Sequence, residues 1–337
     1  MTEAAGETMA RAAGAIAPTD ATTAATTAVP EPAPPRPRRS ARPSRRHAFY
    51  LLLMLAPPLL WLGTVYLASL AGFLGQSFFR LDDFTGQVVR DAPTLESWRM
   101  LLGSAANLDI VLRTLAMAVA VTLACALIAF PLAYYMARHA RGWVKGAFYL
   151  GVMVPMWTSY LVKVYAWRQI LAKEGILPWA LDHLRLGWML QAALALPGVG
   201  GPSLASSYLG MFVVFVYVWL PFMILPIHAA LERVPASLTQ ASADLGASPA
   251  RTFRHVTLPL ALPGVVAGGV FTFSLTLGDY IIPGVVGAPG FFIGMMVYQQ
   301  QGTAGNIPLA AAFSVVPIVL IAAYLALARR MGAFDAL

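Results

Sequence analysis

Six apolar stretches set the layout of the chain: residues 48–79, 114–137, 146–162, 203–231, 256–278 and 308–328, none containing Asp, Glu, Lys or Arg. A bilayer core about 30 Å thick needs roughly 20 apolar residues per helix. Five stretches meet that length and the third falls short at 17 residues. A soluble protein with buried helices would need amphipathic helices to cover them, and the sequence offers none. The pattern therefore predicts an all-α integral membrane protein with six transmembrane helices. Residues 277–297 are also apolar, but Pro283, Gly284, Gly287, Pro289 and Gly290 interrupt them. They read as an outer re-entrant or lid-like segment, because a seventh span would put the carboxyl terminus on the other side.

Charge gives the spans a direction. Inner flanks are enriched in Lys and Arg, and an inner amino terminus puts fifteen basic residues inside and eight outside. Acidic residues divide seven to eight, so the inner segments carry the whole net charge of +8. Both termini are thus expected on the cytoplasmic side of the membrane. The arginines flank spans and form no aromatic-interleaved basic face, so nucleic acid is not the expected partner. Cys125 is the sole cysteine and lies within the second stretch, where it serves as a small packing residue rather than in a disulfide or metal cluster.

Before the first stretch, residues 1–46 are rich in Ala, Thr and Pro and end in a run of arginines from Arg36 to Arg46. Such a composition buries too little apolar area to offset ordering, and it predicts a disordered basic cytoplasmic tail. Ser44-Arg45-Arg46 resembles a twin-arginine export signal, but the long apolar stretch and five later spans favour a positive-inside anchor. Residues 47–337 are expected to form the six-span transmembrane domain.

The inner loop between the fourth and fifth stretches, about 232–259, carries ordered signals throughout. Pro235 suits a first helical position and Gly246 suits the left-handed residue that ends a helix. Ser248 can cap a second helix with Pro249 in its first turn. Leu238, Ala241 and Leu245 share one face of the first helix, and Phe253, Val256 and Leu260 share one face of the second. Two short helices at an elbow make a rigid knob able to enter a groove in another protein.

These residues resemble the EAA coupling loop of binding-protein-dependent ABC importer permeases. Asp244-Leu245-Gly246-Ala247-Ser248 and Val256-Thr257-Leu258-Pro259 match its pattern, while Gln240-Ala241-Ser242 departs from its opening Glu-Ala-Ala. Phe130-Pro131-Leu132-Ala133-Tyr134-Tyr135-Met136-Ala137-Arg138, the segment from Val154 to Arg168, and Leu277-Gly278-Asp279-Tyr280-Ile281-Ile282-Pro283 are similar to spermidine/putrescine-type permeases. The resemblance implies a type I (MetI-like) permease fold and a docking loop for a cytoplasmic ABC ATPase dimer, which would bind ATP and Mg. Gln240, Ala241, Asp244, Leu245, Gly246, Ser248, Pro249, Arg251, Phe253, Leu258 and Pro259 would form that loop. It further implies a second homologous permease subunit and an extracytoplasmic solute-binding protein. A polyamine is the implied solute, with an opine, an amino-acid-like, iron or phosphonate solute as the alternatives within the same family.

A polyamine path calls for carboxylates and aromatic faces. Asp279 is the only acid between Asp244 and Asp335, with Tyr280 beside it and Trp157, Tyr160, Tyr165 and Trp167 near the outer end of span three. These six are the candidate path residues. The competing reading makes the aromatics an interfacial belt and Asp279 a partner of water or of nearby backbone. Glu174, Asp182, Asp82, Asp83 and Asp91 are the outer acids available to meet a receptor. Lys145, Lys163 and Lys173 are the only lysines and none follows a glycine, so the chain lacks a phosphate-cradling P-loop. The histidines show no metal spacing, no nucleophile elbow is present, and no enzyme is expected. An ion-coupled secondary transporter would need mid-membrane charge and inverted halves, and neither is seen.

Overall fold

The computed structural model describes residues 45–82 and 84–330. The predicted tail therefore falls outside the described residues, except that Arg45 and Arg46 open the first helix, Arg45–Trp61. Asp83 and the residues beyond Arg330 lie outside them too. The chain divides into two units, Met1–Pro57 and Pro58–Leu337, and the described part of the first is the start of that helix.

Among the described residues, five helices are long and apolar enough to cross a bilayer: Leu53–Phe78, Ala105–Arg138, Tyr208–Arg233, Pro249–Gly278 and Ile307–Arg330. They correspond to predicted spans one, two, four, five and six. Span two starts nine residues before its apolar stretch, and its 34 residues make a helix about 51 Å long. That exceeds the hydrocarbon core, and Asp109 and Arg113 lie on the part of the helix that precedes its apolar stretch. Span three is broken, because Gly142–Trp157 and Tyr160–Ile170 meet at 98°. Thr158 is extended at the break and Ser159 also leaves helical geometry, at φ −52° and ψ 133°. Hydroxyl side chains compete there for backbone partners, and the Thr158 hydroxyl donates to the Val154 carbonyl at 3.2 Å. Lys163 donates to the freed Pro155 carbonyl at 2.9 Å. Composition alone ran an apolar stretch through this break.

The core lies where spans two, four and five meet. Span two presents Ile110, Thr114, Ala118, Val121, Cys125, Ala129, Ala133 and Met136, a buried row at helical spacing built mostly from small residues. Cys125 packs in that row with its thiol 3.7 Å from the Val216 carbonyl. Span five approaches span four through Gly264 and Gly268. A Cβ at Gly264 would lie 2.6 Å from the Pro226 carbonyl, and one at Gly268 would lie 3.0 Å from the Met223 Cα. Two glycines four residues apart are what lets the helix backbones approach this closely in a membrane.

Between spans one and two, Arg80–Leu81 pairs antiparallel with Val88–Val89 around a turn at Asp82. The Phe84 amide and the Thr85 hydroxyl bond the Asp82 carboxylate and hold its pKa below the usual range. After span five come two helices, Ile281–Val285 and Ile293–Gly302, both too short to span. The intervening segment is pinned by the Gly287 amide on the Ala205 carbonyl at 3.0 Å and by the Ile293 amide on the Thr114 hydroxyl at 3.1 Å. This agrees with a folded-back outer segment rather than a seventh span.

Candidate functional sites: an inner elbow and an outer aromatic cluster

The inner elbow forms as its local signals require, with two differences. Its first helix is Ala236–Asp244, with Pro235 in the cap position rather than the first turn. Gly246 follows at φ +76°. The Ala247 amide bonds the Ser242 carbonyl at 3.1 Å and the Gly246 amide bonds the Ala243 carbonyl at 2.8 Å. That pair of bonds is the Schellman closure, and its left-handed residue favours glycine. Ser248 caps the next helix by accepting from the Arg251 amide at 3.4 Å, and Pro249 occupies the first turn. The second difference is that this next helix is not a separate short one. Pro249–Thr252 passes through a π-helical turn, Phe253–Thr257, directly into span five at Leu258 and Pro259. The elbow is thus a rigid extension of a transmembrane helix.

Long-range contacts seat it. The Phe253 ring meets Phe130 and Tyr134 edge-on, each with centroids 5.7 Å apart. The Arg138 guanidinium donates to the Val234 carbonyl at 3.0 Å, and the Ser242 and Thr252 hydroxyls join the two arms at 2.8 Å. The predicted face of Leu238, Ala241 and Leu245 is exposed, with Leu245 89% exposed at its far end and Leu238 turned towards Pro226 and Leu260. Gln240, Asp244 and Arg251 are exposed as well.

The six predicted path residues separate into groups. Asp279 is buried, and its Oδ1 accepts from the Ile281 and Ile282 amides at 2.7 and 3.1 Å. Its Oδ2 accepts from the Tyr160 hydroxyl. Tyr160 stacks on Trp219, centroids 5.8 Å apart, and the Trp219 indole N–H is buried without a partner. Tyr280 stacks on Tyr298 at 4.9 Å and 10°. With Tyr165 this pair lines a hollow of about 480 Å³ that also includes Gln299 and Thr303. A second hollow of about 300 Å³ shares Tyr280 and Tyr298 and adds Gln301 and Ser314. Trp167 packs against Tyr217 at 5.0 Å, and Trp157 stands apart, 76% exposed. Glu174, Asp182 and Asp91 are exposed on separate outer segments.

Tyr298, Trp219, Gln299 and Gln301 were not foreseen from the sequence. One signal was available: Tyr298-Gln299-Gln300-Gln301 puts four polar-tipped residues directly after an apolar run.

A family model described as "Binding-protein-dependent transport system inner membrane component" matches residues 129–333. The chain belongs to that family: it is the permease subunit of an ABC importer, a membrane transport protein and not an enzyme. It is similar to the inner membrane ABC transporter permease protein YdcU of Escherichia coli (strain K12). The two are 60% identical over 287 residues, covering 85% of this chain and 91% of that protein. It is also 28% identical over 252 residues to the spermidine/putrescine transport system permease protein PotB of Escherichia coli (strain K12), covering 74% of this chain and 86% of PotB. Among solved structures, a chain of a bacterial ABC transporter for import of the acidic polysaccharide alginate superposes with a TM-score of 0.61 at 15% identity, covering 85% and 96% of the two chains. The same transporter in complex with an alginate-pentasaccharide-bound periplasmic protein gives 0.63 at 16% identity, covering 86% and 96%. At those identities the likeness speaks for fold alone.

Proposed function

We propose that this permease carries a small organic cation of the polyamine kind into the cytoplasm. It would do so beside a second homologous permease, above an ABC ATPase dimer and beneath an extracytoplasmic solute-binding protein. The ATPase subunits bind ATP and Mg, and both termini of the permease lie in the cytoplasm. The elbow from Pro235 to Pro259 docks on the ATPase, and its continuity with span five carries ATPase closure into the membrane.

The observation that carries the solute reading is the stacked Tyr280–Tyr298 pair beside Tyr165, over hollows with no Lys or Arg in their linings. Tyrosine faces and glutamine carbonyls attract an ammonium group without an ion pair. Such contacts are weak enough for a solute in transit to leave. The Asp279 carboxylate already accepts three hydrogen bonds. It therefore acts here by holding Tyr160 and the Ile281–Val285 helix in position. The relation to a spermidine/putrescine permease at 28% identity supports the same solute class.

The test is uptake by the whole complex, reconstituted in liposomes with its receptor, across putrescine, spermidine and uncharged diol analogues. Uptake of the amines alone is the expected result, and indifference to the amines would end the polyamine reading. One observation favours a second reading. The unpartnered Trp219 N–H is a donor, and a donor suits a solute bearing a carboxylate, such as an amino-acid-like compound. Uptake of an amino acid added to the series, with the amines left outside, would select it.

A further inference from the structure

The inner half of span three, Gly142–Trp157, buries a single residue, Val152, whereas span four buries thirteen. Apolar packing within this chain therefore fixes that half-span weakly. Polar contacts hold its inner end instead. Lys145 and Tyr149 lie four residues apart on its helix, and His228 and Glu232 lie four apart on span four, so each pair shares one helix face. The Lys145 ammonium donates to Glu232 Oε1 at 2.6 Å. The Tyr149 hydroxyl sits 3.1 Å from His228 Nδ1, with the two rings edge to face at 5.0 Å. His228 Nε2 lies 3.7 Å from the same Glu232 oxygen, and the histidine is 2% exposed. Glu232 stands two residues before Val234, whose carbonyl takes the Arg138 guanidinium where the elbow begins.

We propose that Lys145–Glu232, backed by Tyr149–His228, is an inner latch that makes the broken half-span follow the coupling elbow. These four are positioning residues, and the proposal rests on the elbow being the ATPase contact. A partly exposed ion pair adds little to stability. Its role here is geometric: it ties the least packed helix to the segment through which ATPase closure is passed on. Movement of the elbow then repositions the Pro155–Ser159 break and, beyond it, the Tyr160 contact with Asp279.

Spin labels at Trp143→Cys and Leu238→Cys, both on exposed positions, report the latch in the full complex without needing a known solute. In an otherwise unchanged chain the distance between them should stay narrow and equal in the nucleotide-free and vanadate-trapped states. In Glu232→Gln it should broaden, or change between the states by about one helical turn, ~5 Å. Receptor stimulation of ATP hydrolysis should fall about fivefold in the same variant. The charge-reversed double variant, Lys145→Glu with Glu232→Lys, should restore both readings. A distance that changes with state in the unaltered chain overturns the latch. So does a Glu232→Gln complex matching the unaltered one, or a charge reversal that restores nothing. Failure of the underlying reading is separate, because Leu245→Cys would then give no cross-link to the ATPase whatever the spin labels report.

Discussion

The inner elbow and the outer aromatic cluster are built by opposite means. The elbow is specified almost residue by residue along the chain, with Gly246 closing one helix and Ser248 and Pro249 opening the next. The outer cluster joins residues more than a hundred positions apart, Tyr160 to Asp279 and Tyr165 to Tyr280. A local device folds to one shape and presents it to a partner. A device made of separate helices changes whenever those helices shift.

The contrast can be broken most severely at Gly246. Val there must adopt a left-handed backbone at a strain of roughly 1–3 kcal/mol, which re-aims the elbow. Gly246→Val should lower uptake per ATP by at least about tenfold, with membrane insertion intact when checked by fractionation. Asp279→Ala comes next. It strands the Ile281 and Ile282 amides and the Tyr160 hydroxyl, at roughly 1–3 kcal/mol for each buried group left unpaired. The thermal midpoint of the purified complex should fall, Asp279→Asn should recover part of the loss, and solute affinity should hold where the complex remains assembled. Tyr298→Leu tests the path itself. Losing a cation–π face worth about 0.5–2 kcal/mol should raise the half-saturating amine concentration several-fold while the thermal midpoint stays close to that of the unaltered protein. Gln240→Glu is the smallest. The position is exposed, so stability should move by no more than about 0.5 kcal/mol, as read by chemical or thermal unfolding of the complex.

How far the sequence could be read follows the same division. Gly246 and Ser248 were legible because left-handed and capping positions select their residues by local sterics and hydrogen bonding. Pro235 came out one position off, since a proline suits either side of a helix start. The continuity of Pro249–Gly278 was hidden because a proline inside a helix usually breaks it, whereas here a π-helical turn, Phe253–Thr257, immediately precedes Leu258 and Pro259. In span three, apolar composition concealed the break at Thr158 and Ser159, because hydropathy records solvent preference and not backbone direction. Trp219 emerged only from tertiary packing, because it sits in a uniformly apolar span, and for Tyr298 the polar run Tyr298–Gln301 was the one local mark. Asp279 was visible as the lone acid of its region. Only the fold revealed that its oxygens are already occupied by backbone amides and a tyrosine.

The central claim is that the elbow is where this permease meets its ATPase. Cys125 is fully buried and the only cysteine, so Leu245→Cys provides a single accessible thiol at the tip of the knob. A maleimide photo-cross-linker attached there, in membranes containing the cognate complex, should capture the ATPase subunit in high yield. A thiol introduced on an outer segment, at Trp188, should capture none. Equal and negligible capture at both positions, with the ATPase present in the complex, would contradict the account.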